Sequence, residues 1–230
     1  ETSGLGSTGV LDGRVATLAN GDDALVTSDA GHGVLVSRDS TEGRPAVLLA
    51  APALNDPAKL QTAASLSFDL NPPEGTALVR GRIGNDTGLT DPVLEGEART
   101  NDLTFDDLAE GRWFIRLTAV SPEGLEGRAR TYDFIRARNA VEGLALAQGL
   151  EEGFRVFRFA WRGVGEGEAR FRFQLWQINA EGEQQGPLMV DHPALVESNF
   201  TLTDLPPGDY LWRVEGVRHR FGHRLSAWSE

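Results

Sequence analysis

No cysteine occurs in the 230 residues. That excludes disulfides, thiolate catalysis and cysteine-ligated metals. No run of about 18 apolar residues exists to cross a membrane as a helix. Basic charge is scarce: 22 Lys and Arg stand against 34 Asp and Glu, for a net charge of -12. Nucleic-acid binding needs a basic footprint that displaces phosphate counterions, and none is present. Adhesion to anionic lipid is disfavoured for the same reason. The deficit is evenly spread, since residues 1–51, 52–138 and 139–230 each sum to -4. Lys59 is the only lysine, which reads as the codon bias of a GC-rich bacterium rather than as an arginine site. The only methionine is Met189 and the chain starts at Glu1, so it reads as a processed or excised piece.

What is abundant is turn chemistry. There are 27 glycines and 11 prolines, the punctuation of many short strands. The chain also repeats itself. Leu103-Thr-Phe-Asp-Asp-Leu-Ala-Glu-Gly-Arg-Trp-Phe-Ile-Arg-Leu117 returns as Phe200-Thr-Leu-Thr-Asp-Leu-Pro-Pro-Gly-Asp-Tyr-Leu-Trp-Arg-Val214. The offset, 200 minus 103, is 97 residues, the size of one immunoglobulin-like sandwich and too long for a solenoid unit.

Period-two alternation surrounds both copies. Leu66, Phe68 and Leu70 share a face, as do Phe157, Phe159 and Trp161; Phe171, Phe173 and Leu175; and Tyr210, Trp212 and Val214. Sheets with one buried and one wet side produce this pattern. Helical readings of 92–108 and 193–205 compete weakly. The repeat contains a turn with a mechanism. Leu205-Pro-Pro-Gly-Asp-Tyr210 fits a tyrosine corner, in which a phenol bonds back to upstream backbone. The first copy keeps Gly111 but has Trp113 in place of the phenol, which predicts a more divergent first unit.

The expected architecture is all-β: a small strand-rich segment (1–51), then one sandwich over 52–138 and a second over 139–230. Pro52 to Pro57 reads as a connector, and Arg136 to Glu142 as a link. In the first segment, Asn20-Gly21-Asp22 and Gly31-His32-Gly33 are hairpin signals between short apolar runs. So small a core must lean on something: the next domain, a second copy or upstream strands.

The corner at Leu205–Tyr210, the inward Trp161 and the closing Ser226-Ala-Trp-Ser229 resemble fibronectin type III and related immunoglobulin-like modules. The resemblance spans 56–138 and 141–230 and is more specific in the second copy. Val10-Leu-Asp-Gly-Arg-Val15, with Gly31-x-Gly33-Val34-x-Val36, resembles the tail of a FecR-type domain. That resemblance implies a bacterial extracytoplasmic protein, periplasmic or extracellular. Three roles follow from it: a non-catalytic binding or scaffold module for peptidoglycan, polysaccharide or an envelope protein; the periplasmic part of a FecR-like transmembrane signal regulator; or an accessory region of a larger cell-wall enzyme.

No residue set specifies a reaction, a metal or a cofactor. His219 and His223 would share a helix face, but Arg218-His-Arg-Phe-Gly-His-Arg224 reads as a hairpin turn, and its arginines disfavour a dication. His32, between two glycines, is a turn residue. The acid pairs Asp22-Asp23, Asp106-Asp107 and Glu151-Glu152 are solvated charge, since glycoside hydrolysis needs carboxylates facing across a cleft. One candidate surface remains. On the strand from Phe171, the face opposite the core carries Arg172, Gln174, Trp176 and Ile178. An outward indole beside arginine and amide groups suits a sugar ring or a protein partner. Alternatively, a neighbouring domain or loop covers Trp176.

Overall fold

The computed structural model describes residues 5–10, 14–18, 25–37, 44–57 and 59–229. Those residues form strands and turns with no helix. Two compact units result: the described part of 1–61 together with 65–135, and 62–64 together with 136–230.

The first unit begins with five short strands: β1 (Leu5–Val10), β2 (Arg14–Leu18), β3 (Leu25–Asp29), β4 (His32–Ser37) and β5 (Arg44–Val47). They pair as β1-β4-β5 and β2-β3. The turn expected at Asn20-Gly21-Asp22 and the acid pair Asp22-Asp23 lie outside the described residues, as do Leu11, Asp12 and Gly13 of the FecR-like stretch. Gly31 turns β3 into β4 with φ of 83°. This small segment leans on the rest of its unit. A Cβ at Gly33 would meet the Leu125 side chain at 2.9 Å and that of Leu48 at 3.2 Å, so the absence of a side chain lets the strand seat there. The Arg128 amide donates to the Leu49 carbonyl at 2.9 Å.

The remainder of the unit comprises β6 (Ala53–Leu54), β7 (Leu60–Gln61), β8 (Leu66–Asn71), β9 (Leu78–Gly84), β10 (Leu94–Ala98), β11 (Asp102–Phe105), β12 (Gly111–Val120) and β13 (Glu126–Arg136). A β11-β8-β6 sheet faces a β10-β9-β12-β13-β7 sheet. The stretch read as a connector therefore contains a two-residue strand, with Leu54 opposite Leu70. The span 92–108, where a helix competed, holds β10 and β11 instead. Phe68 is the centre of the core, meeting Phe134 edge-on at 5.3 Å and Phe105 at 6.3 Å.

The second unit comprises β14 (Ala140–Glu151), β15 (Phe154–Val164), β16 (Ala169–Ile178), β17 (Gln184–Leu195), β18 (Asn199–Thr203), β19 (Asp209–Arg220) and β20 (His223–Trp228). A three-stranded β14-β15-β18 sheet faces a four-stranded β17-β16-β19-β20 sheet. This seven-stranded division is that of a fibronectin type III-like sandwich. Its inward stripes are those read from the alternation. Phe173 is fully buried and meets Phe200 (4.8 Å), Phe159 (4.9 Å), Trp212 (5.8 Å) and Trp161 (6.2 Å). Trp161 and Trp212, from opposite sheets, thus share one core.

The repeated turn is the same device twice. Asp107 and Asp204 both adopt left-handed backbone (φ 57° and 54°), and the next residues, Leu108 and Leu205, are both buried. The Tyr210 hydroxyl donates to the Pro206 carbonyl at 2.6 Å. The Trp113 Nε1–H donates to the Ala109 carbonyl at 3.0 Å, again four residues upstream. An indole therefore makes the bond that the phenol makes, and the corner of the first unit is conserved in geometry although not in residue type.

Arg136 ends β13 with its guanidinium buried, at 2% exposure for the residue. It donates to the carbonyls of Ala63 and Ala64, the latter at 2.6 Å. A planar fork with several donors suits two successive carbonyls.

Candidate functional site

The four residues singled out on β16 behave differently from one another. All lie on the sheet face opposite the core, as the alternation requires. Trp176 faces outward, but it is covered, at only 8% exposure. The cause lies on the adjacent strand. In the register of β16 with β19, Gln174 is opposite Arg213 and Trp176 is opposite Leu211. The Arg213 guanidinium lies 4.9 Å over the Trp176 ring and 4.0 Å over that of Trp228, from β20. It is therefore clamped between two indoles, where the ring quadrupoles attract the cation. Its Nε donates to the Gln174 amide oxygen at 3.0 Å, and Gln174 is 5% exposed. Arg172 is tied to Asp191, with Nε to Oδ1 at 2.7 Å. That hydrogen bond and charge hold the Asp191 carboxyl below its ordinary value. Ile178 is half-buried at the end of β16, opposite Asp209. The Arg213 side chain, from the same sheet, lies over the indole.

Sequence reading missed a different site in this unit. A cavity of about 330 Å³ opens between the two sheets, lined by Leu146, Gln148, Phe157, Tyr210 and Trp212, with Arg155 and Asp209 at its rim. Three features build it. First, β20 is half as long as β19: it pairs with Glu215 to Arg220, and Ser229 N then donates to the Val214 carbonyl. Among the described residues, Asp209 to Arg213 have no strand on that side. Second, β14 carries a bulge between Glu142 and Ala145, at which Gly143 takes φ of 63°. A bulge bends a strand and re-aims the residues that follow it. Third, Leu146 and Gln148 pair across to Phe159 and Phe157, so they point between the sheets. Leu146 is 46% exposed there.

The first unit closes the matching position. Its Ile115 stands 97 residues before Trp212 and is fully buried. The long strand β13 adds to the sheet beside β12, where β20 stops short on β19. The cavity is thus a property of the second unit. It follows from a twelve-residue strand turned at Phe221-Gly222 into a six-residue one.

The lining combines aromatic rings with a small number of polar groups. Tyr210 and Trp212 are both partly exposed. The Tyr210 oxygen has spent its proton on Pro206 and remains an acceptor. Arg155 gives Nη2–H to the Leu205 carbonyl at 3.0 Å and keeps other donors. The side chains of Gln148 and Asp209 have no partner among the described residues. One guanidinium and one carboxylate balance, so the mouth carries no net charge.

The histidines lie elsewhere. His219 and His223 flank the Phe221-Gly222 turn, whose φ values are 49° and 84°, and His223 is opposite Arg220. Both angles are positive, as in the primed turns that suit hairpins. Among the described residues, no group of three or more His, Cys, Asp or Glu is placed to hold a metal ion. No helix there is long and apolar enough to cross a membrane.

No protein-family model matches the chain, and no curated protein matches it. Solved structures similar to it include the FN1–FN3 domains of chicken CNTN1. That match has 9% identity and a TM-score of 0.34, and covers 86% of this chain and 75% of that one. The fibronectin(III)-like modules of Clostridium thermocellum CbhA match at 10% identity and a TM-score of 0.28, covering 77% and 92%. The human OSCAR ligand-binding domain matches at 13% identity and a TM-score of 0.29, covering 80% and 96%.

Proposed function

We propose that this chain is a non-catalytic binding module of a bacterial envelope protein, acting outside the cytoplasm, and that its second sandwich carries the binding surface. The observation that carries this reading is the cavity of the second unit. A half-open space between sheets, lined with aromatic rings and unpartnered polar groups, suits recognition. It offers no nucleophile with an adjacent base and no facing carboxylate pair. The extracytoplasmic part rests on the resemblance of Val10 to Val36 to a FecR-type tail. The expected ligand class is cell-wall glycan or polysaccharide. Sedimentation of the intact chain with purified cell walls tests the reading, with retention expected. Absence from the pellet, and recovery from the cytoplasmic fraction of the source cells, would refute it.

A further inference from the structure

We infer that the cavity between β14 and the first half of β19 is the site at which one neutral pyranose residue of a glycan docks. This rests on the binding-module reading and assigns it a ligand chemistry and residues.

Three observations point to a sugar ring. Size is the first. The cavity, at about 330 Å³, stands at the low end of small-molecule sites, suited to one ring rather than a long chain. The second is the pairing of surfaces. A pyranose has an apolar C–H face and a rim of hydroxyls. Tyr210 and Trp212 supply partly exposed aromatic surface for the face. Gln148, an amide with both donors and an acceptor, has no partner within the chain and can serve the rim. Arg155 and the Tyr210 oxygen add a donor and an acceptor. The third is charge. Arg155 and Asp209 cancel, so the mouth attracts neither a free phosphate nor a polyamine.

The rings are held before any ligand arrives. Tyr210 is fixed by its bond to Pro206, and Trp212 is wedged edge-on against Phe159 at 5.0 Å. Preformed aromatic surfaces lose little side-chain freedom on binding, and this favours affinity for a weakly held ligand. Gly208 completes the frame. Its φ is 156°, backbone that L side chains rarely adopt, which favours glycine at the corner that presents Tyr210.

The test is a nuclear magnetic resonance titration of the intact chain with two soluble probes, cellotriose and chitotriose. Saturable shifts are expected at Leu146, Gln148, Tyr210 and the Trp212 indole, from at least one probe. Trp212→Ala endangers the core, so exposed positions carry the mutational test. Gln148→Ala should weaken binding about tenfold, the value of one hydrogen bond of roughly 1.4 kcal/mol. Leu146→Arg should abolish it by filling the mouth, with the amide spectrum otherwise unchanged. No saturable shift with either trisaccharide overturns the assignment, as does binding that Leu146→Arg leaves intact. Saturation of the same residues by an extended apolar peptide, without a sugar response, also overturns it in favour of a peptide groove. If the wild type and Leu146→Arg sediment equally with cell walls, the binding-module reading survives and this site falls. If neither sediments, the module reading falls first.

Discussion

Replacing Phe173 by leucine should unfold the second unit early and leave the first unchanged. Phe173 is fully buried and touches four other rings, three of them in the opposite sheet. Truncation to alanine would cost about 3–5 kcal/mol through lost transfer energy and a cavity. That is a large share of the roughly 5–15 kcal/mol by which small domains are stable. Leucine keeps most of the apolar volume. It loses the ring contacts, which are mutually coupled and do not add, and its net cost should be about 1–2 kcal/mol. For a unit of this size each kcal/mol shifts the melting point by about 4–8 °C. The assay is calorimetry with tryptophan fluorescence recorded in parallel. Four of the five tryptophans (161, 176, 212 and 228) lie in the second unit and only Trp113 in the first, so fluorescence reports mainly the second. The expected result is one transition moved down by about 5–15 °C and one unmoved. Equal displacement of both transitions, or no displacement, would refute separate cores.

Tyr210→Phe and Trp113→Phe each remove one corner hydrogen bond, and each should cost its own unit about 1 kcal/mol in urea unfolding. Arg136→Met leaves the Ala63 and Ala64 carbonyls without their charged donor and should cost about 3 kcal/mol; Arg136→Lys should not restore it, because a single ammonium cannot reproduce the fork. Arg213→Ala uncovers Trp176 and Trp228, so their emission should move to the red and acrylamide quenching should rise, with little loss of fold. Asp191 is held below its ordinary value when folded, chiefly by the Arg172 hydrogen bond. The pair therefore supports the fold at pH values above the unfolded carboxyl range and ceases to as pH falls through the lowered value. Asp191→Asn should remove that part of the acid sensitivity in a stability–pH profile, a small effect because the pair faces water.

The alternation of apolar residues was enough to place the sheets, because one face of each strand must enter a core and the other must not. It assigned Phe173, Trp161, Trp212 and Phe68 to interiors, and the 97-residue repeat located both corners. What alternation does not carry is the partner of an outward residue. Trp176 faces away from the core, as the pattern requires. Arg213, which lies over its ring, approaches it only through strand pairing. Trp113 was read as a departure because residue type, rather than hydrogen-bond capacity, was compared; an indole N–H and a phenol O–H reach the same carbonyl. The cavity was hidden for a related reason. Tyr210 and Trp212 have the inward parity of core residues, and only the shortness of β20 against β19 leaves them partly open.

The central claim is that each unit holds a pair of facing sheets sealed by its own aromatic interior. Nuclear Overhauser contacts of the Phe173 ring test it most directly. The account requires cross-peaks from Phe173 to both the Trp161 and the Trp212 indoles, and from Phe68 to Phe134. A spectrum in which Phe173 sees one of those indoles and never the other would contradict it.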